Sequence, residues 1–190
     1  MKLSALSPVL ILVALISLQG CVAVVGAGVA TGIMVANDRR TSGTILEDNV
    51  IKSKVSNLIN EKYEDEVQVS LTSYNRVVLL YGQVSSQEVL DDIGSMALET
   101  QNVRDVQNEI MIAGASSFVA RSNDTLITSK VKSRLMSNDD VGANHIKVVT
   151  DGGSVYLMGL VTRAEAASAT QTAATTSGVK RVVKVFEFLD

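Results

Sequence analysis

One thiol, one imidazole and one run of carboxylates are the side chains whose types or spacing suggest chemistry of their own. Cys21 is the only cysteine and His145 the only histidine of the 190 residues. A lone histidine without a cysteine partner cannot build a zinc site of the usual ligand type. His145 precedes a strand, with no carboxylate or hydroxyl patterned beside it, and reads as a surface histidine. Glu61, Glu64, Asp65 and Glu66 crowd one stretch but lack the turn glycine and ligand spacing of a calcium loop, so they read as a polar helix-to-strand connection. These residues predict no enzyme, no metal and no cofactor. Cys21 has no second thiol to pair with, so the fold must rest on its cores. Aromatic residues are only 4% of the chain, so those cores must be built from Val, Ile, Leu and Ala.

The surroundings of Cys21 give its thiol a different role. Lys2 marks a basic start, residues 9–18 are apolar except for Ser17, and small Gly20 follows, which is the anatomy of a secretory signal peptide. Leu18-Gln19-Gly20-Cys21 resembles the lipobox of bacterial lipoproteins. The resemblance implies cleavage before Cys21, diacylation of its sulfur and acylation of its amine. Each buried CH₂ is worth roughly 0.8 kcal/mol, so two or three chains hold firmly where one is marginal. Val22 stands where an aspartate would imply retention at the inner membrane, so the resemblance points to the periplasmic face of the outer membrane. The alternative is an uncleaved membrane helix extended by the apolar residues 22–36. It is weakened by Gln19-Gly20, by Gly26, Gly28 and Gly32, and by a first run of about ten residues where spanning takes roughly 20. Residues 21–43 read as a lipidated tether, with a membrane-lying helix disfavoured because each glycine costs about 1 kcal/mol there.

An internal repeat sets the architecture of the remainder. Asp48-Asn49-Val50-Ile51-Lys52-Ser53-Lys54-Val55 returns 76 positions later as Asp124-Thr125-Leu126-Ile127-Thr128-Ser129-Lys130-Val131. Residues 78–84 return as 155–161, and residues 103–106 as 179–182. Each copy opens with apolar residues at helical spacing, Ile51, Val55, Leu58 and Ile59, then Ile127, Val131 and Leu135. Period-two alternation comes next, across Tyr74-Asn75-Arg76 and across Asp151-Gly152-Gly153, predicting a hairpin in each. A second helix is predicted on Val89, Ile93 and Ala97 and over residues 164–176, and a closing strand over 106–112 and 182–189. The order is αββαβ. The expected fold class is α+β, with two tandem units over 44–113 and 114–190, each a small three-stranded mixed sheet with two helices on one face.

The repeated unit resembles the BON domain, and the chain with its lipobox resembles the two-BON-domain outer-membrane lipoproteins. The features that carry this are Gly82-Gln83-Val84, Gly159-Leu160-Val161, Gly178-Val179-Lys180-Arg181-Val182 and Ser122-Asn123-Asp124-Thr125. The resemblance implies phospholipid binding and a part in envelope integrity. Gly82 and Gly159 are expected where a strand turns toward a helix, giving a tight backbone path, and Gly178 as the cap of the second helix. A three-stranded sheet covered on one face leaves the other bare, so the two units should bury those faces against each other or against another chain.

Charge separates the copies. Residues 44–112 hold five Lys/Arg against twelve Asp/Glu, whereas residues 115–190 hold nine against seven. An anionic bilayer would repel the first unit and tolerate the second, and nucleic acid is disfavoured as a partner. In the first helix of the second unit, expected over 123–136, Leu126 falls off the stripe of Ile127, Val131 and Leu135, among Lys130, Lys132 and Arg134. Such a residue can enter an acyl boundary while ammonium groups meet phosphates. The expected lipid site is Leu126, Ser129, Lys130, Lys132, Ser133 and Arg134, with anionic phospholipids as partner and a monomer as the assembly state. Related proteins can carry a tryptophan where this chain has Leu126, so an interfacial aromatic is missing here. Two alternatives stand beside this expectation. Leu126 would pack against the first unit or the tether, or the pair of units would form a scaffold recruiting an envelope protein.

Overall fold

The computed structural model describes residues 38–64, 66–113 and 118–190. Cys21 and the leader lie outside the described residues. Arg39–Asp190 forms one compact body, and within it the αββαβ order is found twice. The first copy is α1 (Ser42–Tyr63), β1 (Gln68–Tyr74), β2 (Val77–Val84), α2 (Gln87–Glu99) and β3 (Asp105–Ile112). The second is α3 (Phe118–Met136), β4 (Ile146–Asp151), β5 (Ser154–Val161), α4 (Arg163–Ala174) and β6 (Arg181–Phe188). In each sheet the middle strand pairs antiparallel with its hairpin partner and parallel with the closing strand, so both sheets are mixed.

Local chemistry starts and stops these elements. Ser86 caps α2 by accepting from Val89 N, and Thr162 with Glu165 forms a reciprocal capping box on α4. Both hairpins use two-residue turns with positive φ at both positions: Asn75 (50°) and Arg76 (64°), then Gly152 (56°) and Gly153 (83°). Turns of that hand match the right-handed twist of the flanking strands. Glycines adopt it freely, but Arg76 is held in a region that costs an ordinary side chain roughly 1–2 kcal/mol.

The buried stripes follow the period-four rows. Ile51, Val55 and Ile59 of α1 are buried over Val78, Leu80, Ile93 and Ala97. Ile127, Val131 and Leu135 of α3 are buried over Val155, Leu157 and the alanines of α4. Leu58 departs from expectation: it lies off the Ile51, Val55, Ile59 row and is 41% exposed. The two glycines sit inside the central strands rather than at their ends. Gly82 has φ of 121°, and a Cβ there would lie 2.0 Å from the Gln68 carbonyl oxygen; one on Gly159 would lie 2.5 Å from that of His145. Backbone crowding of the neighbouring strand therefore requires them. Gly178 lies beyond the cap of α4, which is Thr175; it takes φ of 97° and leaves room for Ile127.

The bare sheet faces meet back to back. Tyr74 and Leu79 of the first copy pack with Tyr156 and Met158 of the second, and the Tyr81 and Tyr156 ring centroids are 6.1 Å apart. Polar pairs rim this junction: Arg104 with Glu187, Arg181 with Glu109 at 2.9 Å, and the Tyr74 hydroxyl donating to the His145 carbonyl at 3.0 Å. The helices thus form the two outer layers of the body. Helix α1 starts at Ser42, capped by Thr41, so the last residues assigned to a tether belong to the fold.

Candidate functional site

Helix α3 presents three strips. Its buried strip leaves an outward one on which Leu126 is 60% exposed. At about 100° per residue, Ser129, Lys130 and Ser133 share that face with Leu126, and all three are exposed. The Ser129 hydroxyl donates to the Thr125 carbonyl at 3.0 Å, leaving its lone pairs outward. Lys130 makes no ion pair among the described residues. The face runs into a shallow depression of about 500 Å³ lined by Ser129, Lys130, Ser133, Arg134, Thr176 and Ser177. Four of the six residues expected from sequence therefore meet at one depression, with Leu126 one turn from Lys130.

The remaining two cations of that set have other neighbours. The Arg134 guanidinium donates to the Thr172 carbonyl at 3.0 Å and to the hydroxyls of Thr176 and Thr175 at 2.7 and 3.0 Å. It closes the carboxyl end of α4, where exposed carbonyls favour a cation. Lys132 lies about 120° around the helix from Leu126 and lines a different groove with Thr125 and Thr128. Leu126 does not pack on the first copy, as one alternative required; it is open to solvent.

Three arrangements go beyond what the sequence pattern predicts. Asp48 and Asp124, 4% and 7% exposed, each aim a carboxylate at the hairpin turn of their own copy. Asp48 accepts from Asn75 N and Arg76 N, and Asp124 from Gly152 N and Gly153 N, all at 2.8 Å. The second arrangement is where the chain enters the body. Arg39 forks onto Glu165 at 2.7 and 2.9 Å and reaches the Leu160 carbonyl, while Arg40 pairs with Asp48 at 2.8 Å and covers the Tyr74 ring. Arg39, then the Thr162 backbone and hydroxyl, hold the Glu165 carboxyl down to about 2. The third is Lys147, whose ammonium reaches the Ser73 carbonyl at 3.2 Å across the junction. Burial first, then Arg40 and Lys52, press its pKa down to about 8. A signal for the first was present, since Asp48 and Asp124 open the repeated octapeptides; the Arg39–Glu165 and Lys147–Ser73 contacts join residues more than 70 positions apart.

The BON domain model matches residues 47–114 and 123–190. The chain belongs to the BON-domain family. It is 40% identical over 193 residues to the outer membrane lipoprotein DolP of Haemophilus influenzae, covering 100% of both chains. A 21 kDa hemolysin of Actinobacillus pleuropneumoniae is 31% identical over 80% of this chain and 79% of its own. The osmotically-inducible protein Y of Escherichia coli is 29% identical over 80% of this chain and 78% of its own. Likeness along the whole length puts this BON-domain chain among the two-domain outer-membrane lipoproteins, and its location is the outer membrane.

Proposed function

We propose that the protein is held at the periplasmic face of the outer membrane by acyl chains on Cys21 and binds anionic phospholipids through α3 of its second BON domain, supporting outer-membrane integrity. One observation carries this: a leucine 60% exposed on a helix face whose other members are Lys130 and the serines of positions 129 and 133. Removing a leucine side chain from water is worth roughly 1.5–3 kcal/mol. Each lysine near an anionic surface adds about 1 kcal/mol, which salt weakens. Lys132 and Arg134 flank the face and add to its positive potential, Arg134 without leaving the end of α4.

Flotation of the non-acylated chain, residues 22–190, with phosphatidylglycerol or cardiolipin vesicles tests this. Leu126→Glu should weaken partitioning at least about tenfold, which corresponds to 1.4 kcal/mol, with melting unchanged. The matching Val50→Glu in the acidic first domain should bind as wild type. Equal binding by the two variants, or equal flotation with neutral and anionic vesicles, would remove α3 as the lipid site. A second role as a protein scaffold draws support from Leu46 and Val50 of α1, 66% and 38% exposed on that acidic domain. An envelope enzyme or assembly protein would be its partner, and a chain acting only in this way would not float.

A further inference from the structure

The closing strands of the two sheets finish their outer edges differently. In the first domain the Ala113 amide donates inward to the Val84 carbonyl, and in the second the Leu189 amide donates inward to that of Val161. Amides alternate in direction along a strand, so those of Val106, Asn108, Ile110 and Ile112 point away from the first sheet. By the same count those of Val182, Lys184, Phe186 and Phe188 point away from the second. Side chains of β3 close off two of its four: Val106 N donates to Asp105 Oδ1 at 2.8 Å and Ile110 N to Asn108 Oδ1 at 3.2 Å. The residues 76 positions on are Arg181 and Lys184, which carry donors and no acceptor. β6 is the last strand of its sheet, and no described residue receives its outward amides. Toward the first sheet this edge opens onto a cavity of about 370 Å³ lined by Lys184, Val185, Phe186 and Glu187 together with Gln107 of β3.

The two rows of β6 select what can lie beside it. Toward the helices the row is Val182, Lys184, Phe186 and Phe188. Lys184 is exposed and makes no ion pair among the described residues, and Phe188 is 44% exposed. Toward the first sheet the row is Arg181, Val183, Val185 and Glu187. Both valines belong to the apolar junction, and both charges are already paired, Arg181 with Glu109 and Glu187 with Arg104. A lysine on an edge strand discourages apolar and basic newcomers. The same charge favours a strand that sets a carboxylate opposite it. A second copy of β6 cannot do so, because its own row toward the helices holds no acid.

We propose that β6 is a docking edge for an acidic extended segment of another protein, which adds a fourth strand to the second sheet with a carboxylate opposite Lys184 and apolar side chains beside Val183 and Val185. Main-chain hydrogen bonds to the four outward residues hold the segment, and the two rows choose it. β6 lies at the opposite edge of the sheet from β4, on which α3 packs. Docking there is therefore independent of whether α3 meets a bilayer.

The test titrates the whole chain from residue 22, without acyl groups, with a terminally blocked peptide of alternating glutamate and valine as long as β6. Amide NMR and hydrogen exchange follow the titration. One comparator has lysine in place of glutamate, and two others carry N-methyl groups on alternate amides, each blocking one edge of the peptide. The glutamate peptide should slow exchange at Val182, Lys184, Phe186 and Phe188 at least tenfold and saturate at least fivefold below the lysine peptide. One N-methyl pattern should abolish binding and the other should keep it. No saturable binding, equal effects of the two patterns, equal binding of the lysine peptide, or slowed exchange at another strand instead of β6 would each overturn the assignment.

Two substitutions at the exposed Lys184 separate the charge from the edge. Lys184→Ala should remove the preference for glutamate over lysine yet keep the slowed exchange in the complex. Lys184→Asn copies Asn108 of β3, gives the Phe186 amide an acceptor, and should weaken the glutamate peptide at least fivefold beyond Lys184→Ala. A preference that survives Lys184→Ala, or equal binding by Lys184→Asn and wild type, refutes the proposal. If Lys184→Asn melts early, the pair of N-methyl peptides decides. A wild type that dimerises without peptide in sedimentation, with its β6 amides protected, assigns the edge to a second copy and overturns the acidic partner. Leu126→Glu should bind the peptide as wild type does, so failure of the α3 lipid site and failure of the β6 edge are told apart.

Discussion

Lys147 is the residue whose replacement should stabilise the fold. It is turned into the junction between the sheets, where its ammonium meets the Ser73 carbonyl and the charges of Arg40, Lys52 and Lys132 oppose it. Its pKa falls from 10.5 to about 8. At about 1.4 kcal/mol per unit this sets an upper limit of roughly 3.5 kcal/mol on the cost of keeping the charge there at neutral pH. Lys147→Met keeps the length and apolar stem and removes the charge. It also leaves the Ser73 carbonyl without this donor, which costs about 1 kcal/mol. The net expectation is a gain of about 1–2 kcal/mol at pH 7, in line with the replacement of buried charges by apolar side chains.

The pH dependence separates this cause from better packing. Between the folded pKa of about 8 and the unfolded 10.5, the unfolded wild type binds the extra proton, so its stability rises with pH in that window. Urea unfolding of wild type and variant from pH 6 to pH 10 should show a constant gap below about pH 8, which then closes toward pH 10. A variant less stable than wild type at pH 7, or a gap unchanged from pH 7 to pH 10, would refute the buried-charge account.

The same geometry sets the outcome of other substitutions. Asp124→Ala strips the Gly152 and Gly153 amides of their acceptor and should cost about 2–3 kcal/mol in urea unfolding. Asp48→Ala should cost more, about 3–5 kcal/mol, because Arg76 must hold a positive φ without that brace and Arg40 loses its ion pair. Glu165→Gln should lower stability by about 1 kcal/mol at pH 7, the upper range for a surface pair. Because the folded carboxyl is depressed to about 2, wild type should lose this advantage as pH falls from 4.5 through about 2, and the two melting curves should converge there. Gly82→Ala places a methyl against the Gln68 carbonyl and should unfold the first domain, seen as loss of the β1 amide signals.

Much of the fold was legible because its causes are periodic and local. Rows such as Ile127, Val131 and Leu135 record a helix face at spacing four, and Gly152-Gly153 records a turn hand that few other residues accept. The duplication doubled every such signal and exposed the weak Asn75-Arg76 turn through its stronger counterpart. Outward exposure of Leu126 was legible for the same reason, being a matter of angle on one helix. What escaped were contacts fixed only when the sheets stack. Nothing near Arg39 in sequence points to Glu165, 126 residues away. Lys147 occupies an ordinary outward position of a strand pattern, between Ile146 and Val148 of the core, and becomes a buried cation only because a second sheet covers it. Arg134 is basic and near Lys130 in sequence, which suggests a shared role, whereas the end of α4 claims its guanidinium.

Back-to-back packing also bears on why two copies of one unit have diverged in charge. A three-stranded sheet with helices on one face has one other apolar face to cover, and a second copy covers it with the same kind of surface. The consequence is that α1 and α2 form one outer layer and α3 and α4 the opposite one. A bilayer that meets α3 is then screened from the outer face of the first domain by two sheets of protein. Acidic residues there, such as Glu88 and Asp91 of α2, face away from the lipid phosphates. Beyond a Debye length of about 8 Å at physiological salt their repulsion is largely screened. Acidic charge on the first domain would thus not weaken the binding of an anionic surface proposed for α3, whereas the same charges on the α3 layer would oppose it directly.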